Sequence, residues 1–166
     1  RQVLERVLPE LDATGRTLSV NLSTQGLEDA GLLDWVEEQL RRHGAGRLLL
    51  ELAEYGAEAH VDALRRWMDR LAPFGVEFGL DHYGRGFSSF RYLRGLKAHW
   101  LKIDGSFVRD LERQPDNQFY LQILCEIAHG LDMRVVAESV ETEAVWRLLP
   151  GLGLDGGQGF WLGRPE

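Results

Sequence analysis

The sequence lacks several features that would place it in common functional classes. It has a single cysteine, Cys125, which excludes an internal disulfide, and the helical pattern around this residue indicates a buried inert thiol. No run rich in Lys and Arg offsets the net charge of −7, and an acidic surface repels DNA or RNA. The longest apolar run, LLLEL, is too short to span a bilayer, and no signal peptide is visible. These absences together indicate a cytoplasmic location.

The hydrophobic pattern that is present alternates between a period of two and a period of about 3.6 residues, as repeated βα units do. A composition of 44% hydrophobic and 27% charged residues fits one globular domain over 1–166. The chain begins with Arg1 rather than Met, so we expect a piece of a longer protein. The pattern predicts a parallel sheet covered by helices. The predicted strands are 17–21, 48–52, 76–81, 99–104, 134–139 and 156–161, and the predicted helices are 2–11 (shortened or kinked by Pro9), 32–43, 61–71, 117–130 and 142–149.

Polar side chains at the strand ends distinguish between the two architectures that such a sheet allows. An open doubly wound sheet usually carries a glycine fingerprint after its first strand, and none is present. In a (β/α) barrel the carboxyl ends of the strands meet at one mouth, where barrel enzymes keep their sites. Clustered carboxylates there are costly unless something binds them, so we predict a ligand site at this mouth. The residues in question are Asn21, Glu51, Asp81, Lys102, Asp104, Glu138 and Gln158.

Six motifs covering nearly the whole chain resemble, in order and spacing, those of EAL domains. These are barrel domains that bind, and often hydrolyse, the bacterial second messenger cyclic di-GMP. The resemblance implies an α/β, TIM-like (β/α) barrel, here with about six of its eight βα units, because the Glu-Ala-Leu signature lies upstream of the first motif in the family. Six strands cannot close such a barrel, so we expect two exposed sheet edges and exposed apolar surface. The motifs are SVNLS, LLLELAE, GLDHYGRGFSSFRYL, LKIDGSFVRDL, VVAESVET and QGFWLGRP.

The resemblance implies a metal-binding role for four positions. In catalytic members of the family, the positions of Asn21, Glu51 and Asp81 bind one metal ion. The position of Asp104, together with a second Asp directly after Asp81, helps to hold another. Here the second Asp is replaced by His82, so we expect these ligands to be vestigial and no metal to be required.

Further positions carry implied roles in catalysis and ligand binding. The residue matching Lys102 orients or activates the attacking water, and the position of Glu138 belongs to the metal and ligand site. Glu54 is expected to brace the loop after Asp81, and Gln158 to face a guanine. Of the five tryptophans, Trp161, which follows Gln158, is the one that we expect near a ligand.

Two residues depart from the family pattern, and both lie in the loop after Asp81. His82 removes one negative charge and one bridging group, so the second cation should bind poorly and hydrolysis should be lost or very weak. Arg85 stands where a small residue is usual, and a solvent-exposed position and a phosphate contact are equally compatible with it. With Lys102, these side chains could favour binding of a dianionic ligand without metal.

Three functions follow as hypotheses. The first is a catalytically inactive receptor module for cyclic di-GMP. The second is an active phosphodiesterase that requires Mg²⁺ or Mn²⁺ and uses His82 as an unusual ligand. The third is a protein-interaction scaffold that has lost nucleotide binding.

Among degenerate EAL domains, the motifs ELAEYG, DHYGRGFSSFRYL, DNQF and AESVETEAVW are most similar to the LapD-like receptors. This likeness implies the cytoplasmic domain of a bacterial inner-membrane protein. It also implies a GGDEF domain in the same longer chain, a homodimer, and a periplasmic protease as the controlled partner.

Overall fold

A computed structural model describes residues 2–8, 17–43, 47–85 and 90–164, with the backbone only for residues 90 and 91. It contains a six-stranded parallel sheet in which each strand pairs with the next along the chain. A doubly wound sheet would reverse its strand order, whereas this sequential order is that of a half-barrel. The predicted TIM-like α/β fold is confirmed. The strands are β1 (Thr17–Asn21), β2 (Arg47–Ala53), β3 (Glu77–Tyr83), β4 (Trp100–Ile103), β5 (Arg134–Ala137) and β6 (Gly156–Gly157).

Helices connect successive strands, and the described residues include short 3-10 turns at Ala72–Phe74, Leu111–Arg113 and Leu149–Leu152. None of the helices in the described part of the chain is long and apolar enough to cross a membrane. Residues 9–11 of the first predicted helix, and Gly44 that follows the predicted helix end at His43, lie outside the described residues. The helices are α1 (Gln2–Val7), α2 (Thr24–Glu28), α3 (Ala30–His43), α4 (Glu54–Ala59), α5 (Val61–Leu71), α6 (Phe90–Leu93), α7 (Gly105–Val108), α8 (Pro115–His129) and α9 (Glu143–Leu148).

Helix α5 illustrates how the outer layer is held against the rest of the fold. Its apolar residues recur at intervals of three and four, which places them on one face of the helix. This face buries Leu64, Trp67 and Leu71 in the common core. The Trp67 indole Nε1 also donates a hydrogen bond of 3.0 Å to the carbonyl oxygen of Leu27, which attaches α2 to α5. The rigid outer layer supports the strands whose ends carry the polar residues.

The last two strands are shorter than predicted. The prediction extended them to residues 139 and 161, but β5 ends at Ala137 and β6 at Gly157. Ser139 has a φ of 56°, which turns the chain out of the strand. Gly159 lies so close to the Val140 backbone that a Cβ would come within 2.3 Å of the Val140 nitrogen. The turn and the close approach depend on contacts between segments of the chain, and they place Glu138 and Gln158 just beyond the strands.

The outer edge of β1 differs from the expectation of exposed apolar surface. The inward-facing row of this strand consists of Thr17, Ser19 and Asn21, and all three are exposed and polar. The alternate residues Leu18 and Val20 pack toward the helices. The exposed row at this edge is therefore polar, whereas exposed apolar side chains lie just after the other edge strand, β6, at Phe160, Trp161 and Leu162.

Candidate ligand and metal site

A lysine lies at the centre of the carboxylate cluster at the mouth of the half-barrel. Lys102 Nζ is 3.2 Å from Glu51 Oε2, 3.4 Å from Asp81 Oδ1 and 3.6 Å from Glu138 Oε1. Parallel register brings these strand ends to one level, and Asn21 pairs with Glu51 at the edge. Asn21 itself is exposed, whereas the other four side chains pack together.

Lys102 is only 7% exposed, yet it remains a cation. Burial disfavours the charged ammonium, but the attraction of Glu51, Asp81 and Glu138 outweighs it, so the pKa of Lys102 is raised above its usual value of 10.5. A lysine held protonated in this way can orient a polar group but cannot accept a proton near neutral pH.

His82 occupies the space between three carboxylates. Its Nδ1 lies 2.8 Å from Glu138 Oε2 and 3.5 Å from Asp104 Oδ2, and its Nε2 lies 3.6 Å from Asp81 Oδ2. Its backbone N–H donates to Asp81 Oδ1 at 3.1 Å, and its φ of 55° lies in the left-handed region. Such a conformation in a non-glycine residue is found mainly where surrounding contacts enforce it.

The carboxylates of Glu138 and Asp104 differ in how well their charge is compensated. Burial and then the neighbouring Asp81 raise the pKa of Glu138. Burial also opposes ionisation of Asp104, but hydrogen bonds from Ser106 and the nearby Arg85 outweigh it and lower the pKa of Asp104. Asp104 Oδ1 accepts the Ser106 N–H at 2.9 Å and caps α7. The carboxyl of Glu138 is therefore easier to protonate than an ordinary glutamate, whereas that of Asp104 stays ionised to lower pH than an ordinary aspartate.

Glu54 lies beneath the loop that follows Asp81. Its side chain is 4% exposed, and its Oε2 accepts the backbone N–H of Gly84 at 3.1 Å. Gly84 has a φ of 100°, and a Cβ there would lie 2.8 Å from the Phe107 ring. Only glycine fits this close approach without a shift. The sequence resemblance pointed to Glu54, whereas the Phe107 contact had no sequence signal.

A pocket of about 390 Å³ opens above this cluster. It brings together five of the predicted residues, namely His82, Arg85, Asp104, Glu138 and Gln158. Five other predicted residues do not line it: Asn21, Glu51, Glu54, Asp81 and Lys102. Phe160, rather than the neighbouring Trp161, lines the wall. The other lining residues were not predicted: Gly105, Ser106, Arg109, Ser139, Glu141 and Gly159.

A sequence signal existed for two of these missed residues. Ser106 follows Asp104 by two positions, which is the spacing of an aspartate that caps a helix. Arg109 comes directly after the single turn of α7. A helix of only one turn after β4 leaves the next residue close to the mouth, so predicting such a helix would have indicated Arg109. Ser139 and Glu141 carry no such signal, because they reach the pocket through the turn at the end of β5.

Three donors at the rim could hold one divalent metal ion. Asp81, His82 and Glu138 each offer a ligand atom, and these atoms lie within 4.8 Å of one another. Two carboxylate oxygens and one imidazole nitrogen suit ions such as Mn²⁺ better than Mg²⁺, which prefers oxygen ligands. EAL domains are typically metal-dependent, and a bound ion would supply Lewis-acid polarisation of a phosphoryl oxygen. The set fits a single ion, because His82 offers no bridging oxygens for a second.

Comparison with known proteins identifies relatives over most of the chain. The sequence profile of the EAL domain matches residues 1–165. The bifunctional diguanylate cyclase/cyclic di-GMP phosphodiesterase MucR of Pseudomonas aeruginosa is 38% identical over 150 residues, covering 89% of this chain and 22% of MucR. The probable cyclic di-GMP phosphodiesterase PdeA of Escherichia coli is 30% identical over 172 residues, covering 99% of this chain and 24% of PdeA. The chain thus spans less than a quarter of the length of either protein.

Solved structures agree with this assignment. A MucR phosphodiesterase in complex with c-di-GMP has a TM-score of 0.87 and 36% identity, covering 99% of this chain and 76% of that one. The FimX EAL domain of Pseudomonas aeruginosa bound to c-di-GMP has a TM-score of 0.92 and 28% identity, covering 100% of this chain and 69% of that one. The motifs, the half-barrel and these matches agree: the chain belongs to the EAL domain family.

Proposed function

We propose that this chain is a receptor module that binds cyclic di-GMP without hydrolysing it. The observation that carries the proposal is the position of His82. Its ring is hydrogen-bonded to Glu138 and lies within 3.6 Å of carboxylate oxygens of both Asp81 and Asp104. In catalytic family members, the resemblance places a metal-binding carboxylate at this position.

The chemistry of phosphodiester cleavage explains why this replacement matters. Two-metal hydrolysis requires cations about 3.5–4 Å apart that activate water and stabilise the leaving oxygen. An imidazole cannot bridge two cations with a pair of oxygens, and it removes one negative charge from their binding site. Binding of an intact ligand needs only shape, hydrogen bonds and charge compensation. Loss of catalysis with retention of binding is therefore the expected result.

The ligand is inferred from the relatives and from the pocket. The MucR and FimX structures that superpose on this chain contain c-di-GMP. The pocket of about 390 Å³ includes Gln158 and Arg85, which offer amide and guanidinium donors. These features favour a nucleotide ligand over a protein-interaction scaffold without nucleotide binding.

Calorimetry in excess EDTA tests the binding part of the proposal. We expect the full-length protein to bind cyclic di-GMP without added metal and to bind the linear dinucleotide more weakly. Chromatography of the mixture after incubation with Mg²⁺ or Mn²⁺ should recover the cyclic ligand intact. Absence of binding in EDTA, or brisk conversion to the linear product, would overturn the proposal.

A metal-dependent phosphodiesterase is the second candidate, and the Asp81, His82 and Glu138 donor set favours it. In this version His82 provides a nitrogen ligand to a Mn²⁺ ion. Linear dinucleotide should then appear only with Mn²⁺ and disappear in Asp81→Ala. Asp62→Ala serves as the matched control, because Asp62 is an exposed carboxylate paired with Arg65 on α5.

The role of the longer protein is part of the same proposal. MucR is named a bifunctional diguanylate cyclase and phosphodiesterase, which supports a signalling chain that combines GGDEF and EAL domains. We place the module in a homodimeric receptor at the bacterial inner membrane, where ligand binding controls a partner. Co-purification of the full-length protein with membranes, and its oligomeric state with and without ligand, test this extension.

A further inference from the structure

Binding without metal raises the question of which positive charges meet the ligand phosphates. The two side chains at the centre of the site that could carry positive charge are already paired with its carboxylates. Lys102 is buried among Glu51, Asp81 and Glu138, and His82 is hydrogen-bonded to Glu138. Neither side chain is free to neutralise a dianionic ligand by itself.

Two arginines line the pocket on the side of α7. Arg85 is 69% exposed, and its nearest carboxylate is Asp104, at 3.6 Å from Arg85 Nε to Asp104 Oδ2. Arg109 is exposed at the end of α7, and its guanidinium makes no hydrogen bond or ion pair with any residue that the structure describes. Both guanidinium groups are therefore available to a ligand in the same pocket.

The two segments that carry these arginines are packed on each other. Gly84 lies against the Phe107 ring, and the Asp104 N–H donates to the Tyr83 carbonyl at 3.1 Å. Phe107 in turn stacks on Tyr120 of α8, with ring centroids 4.9 Å apart. Since the backbone positions of Arg85 and Arg109 are held in this way, the two side chains approach the pocket from fixed points.

We propose that Arg85 and Arg109 form a guanidinium pair that binds a phosphodiester group of the ligand. The pair supplies, from the protein itself, positive charge that metal ions supply in catalytic family members. A guanidinium binds phosphate oxygens through two parallel N–H donors, and lysine cannot reproduce this geometry. This inference rests on the proposed function, and it names the residues that make binding independent of metal.

The test is calorimetric titration of the full-length protein with cyclic di-GMP in EDTA. Arg85→Ala and Arg109→Ala should each weaken binding about tenfold or more, because a charge-assisted hydrogen bond is lost. Arg109→Lys should recover only part of the affinity, since the positive charge remains but the two parallel N–H donors of the guanidinium are lost. Arg113→Ala is the matched control: Arg113 is exposed one turn farther on, outside the pocket, and its loss should leave the affinity unchanged.

The outcomes separate this inference from the proposed function. If the wild-type protein binds in EDTA and Arg109→Ala binds within about twofold of it, the arginine pair is refuted and the receptor function stands. If the wild-type protein does not bind, both proposals fail. Increasing salt should weaken wild-type binding more steeply than binding by the double variant, because the contact is ionic. Equal salt dependence would refute the pair.

Discussion

His82 combines a left-handed backbone conformation, with a φ of 55°, with side-chain contacts to residues at the ends of two other strands, Asp104 after β4 and Glu138 after β5. Its imidazole lies where the carboxylates of Asp81, Asp104 and Glu138 converge. An imidazole, which is neutral or carries one positive charge, thus lies where the resemblance places a negatively charged aspartate in catalytic family members. We therefore expect the choice between metal binding and metal-free binding to depend on this residue.

His82→Asp should restore metal affinity at the expense of metal-free stability. The new carboxylate faces three others, so we expect the free energy of unfolding in EDTA to fall by about 1–3 kcal/mol. Affinity for Mn²⁺ should rise about tenfold or more, as expected when a ligand is regained. Thermal denaturation and calorimetry with Mn²⁺ measure the two effects.

The control for this prediction is His60→Asp. His60 Nδ1 pairs with Glu28 Oε1 at 2.7 Å on the surface, away from the three metal donors. This variant should lose the contact with Glu28 without gaining affinity for Mn²⁺. Equal Mn²⁺ affinity in wild type and His82→Asp would contradict the role given to His82.

At the scale of single elements, individual contacts between segments hold the loop after β3 and the turn before β6. The loop after β3 is held by Glu54 from below and by Phe107 of α7 from the side. The turn before β6 is held by Asp155, whose Oδ2 accepts hydrogen bonds from the Val135 N–H at 2.7 Å and from His129 at 2.9 Å. The Phe107 contact and the Asp155 hydrogen bonds each support one prediction.

Gly84→Ala should destabilise the protein by about 1–3 kcal/mol and weaken ligand binding. The substitution combines a positive φ with a clash against the Phe107 ring, and Arg85 is the next residue. Gly75→Ala is the matched control, because Gly75 has a φ of 71° but nothing within 4 Å of a Cβ. It should cost only backbone strain and leave ligand affinity unchanged. Equal effects of the two variants in calorimetry would contradict the packing argument.

Asp155 should contribute stability that disappears in acid. Burial opposes its ionisation, but hydrogen bonds from Val135 and His129 outweigh this and lower the pKa of Asp155 below 3.8. A carboxyl with a depressed folded-state pKa stabilises the fold above its unfolded-state pKa, and this contribution is lost as the pH falls through the folded-state value. Because solvent screens this 36% exposed side chain, Asp155→Asn should cost less than about 1 kcal/mol near neutral pH and progressively less below about pH 4.

Urea denaturation over this pH range provides the measurement. Asp132→Asn is the control, since Asp132 is a nearby exposed residue with a φ of 60°, a conformation that asparagine also tolerates. A stability gap between wild type and Asp155→Asn that widens on acidification would show that the sign is wrong.

At the scale of the whole molecule, six parallel strands form an open sheet with β1 and β6 at its edges. A parallel edge exposes unpaired backbone N–H and C=O groups that can pair with another chain. The exposed row of β1 is polar and consists of Thr17, Ser19 and Asn21. Polar side chains reduce the hydrophobic drive for association, but they leave the backbone hydrogen-bonding groups of the edge unpaired. Within the described residues no further strand pairs with the outer edge of β1 or of β6, so the sheet is not closed.

We expect these 166 residues, purified by themselves, to associate or to require additional strands. Size-exclusion chromatography with light scattering should show dimers or larger species, and amide exchange should be fastest in β1. A stable monomer with uniformly protected strands would contradict the expectation. Ser19→Lys, which places a charge on the edge strand, should shift the population toward monomer.

Periodicity predicted the regular elements well wherever one face is buried. Helix α5 spans the predicted residues 61–71, and β1 spans the predicted 17–21, because their apolar spacing reports which face meets the core. The ends of β5 and β6 were predicted less well, since the turn at Ser139 and the contact of Gly159 with Val140 arise between segments.

The amino-acid sequence alone established the order of the βα units, the polar residues at the strand ends and the substitution at His82, because these depend on residue type and local spacing. The contact of His82 with Glu138, 56 residues away, the enclosure of Lys102 and the place of Arg109 in the pocket emerged only from the folded chain. Such contacts depend on how far the sheet curves and how each loop returns to its rim, and no local hydrophobic pattern encodes those distances.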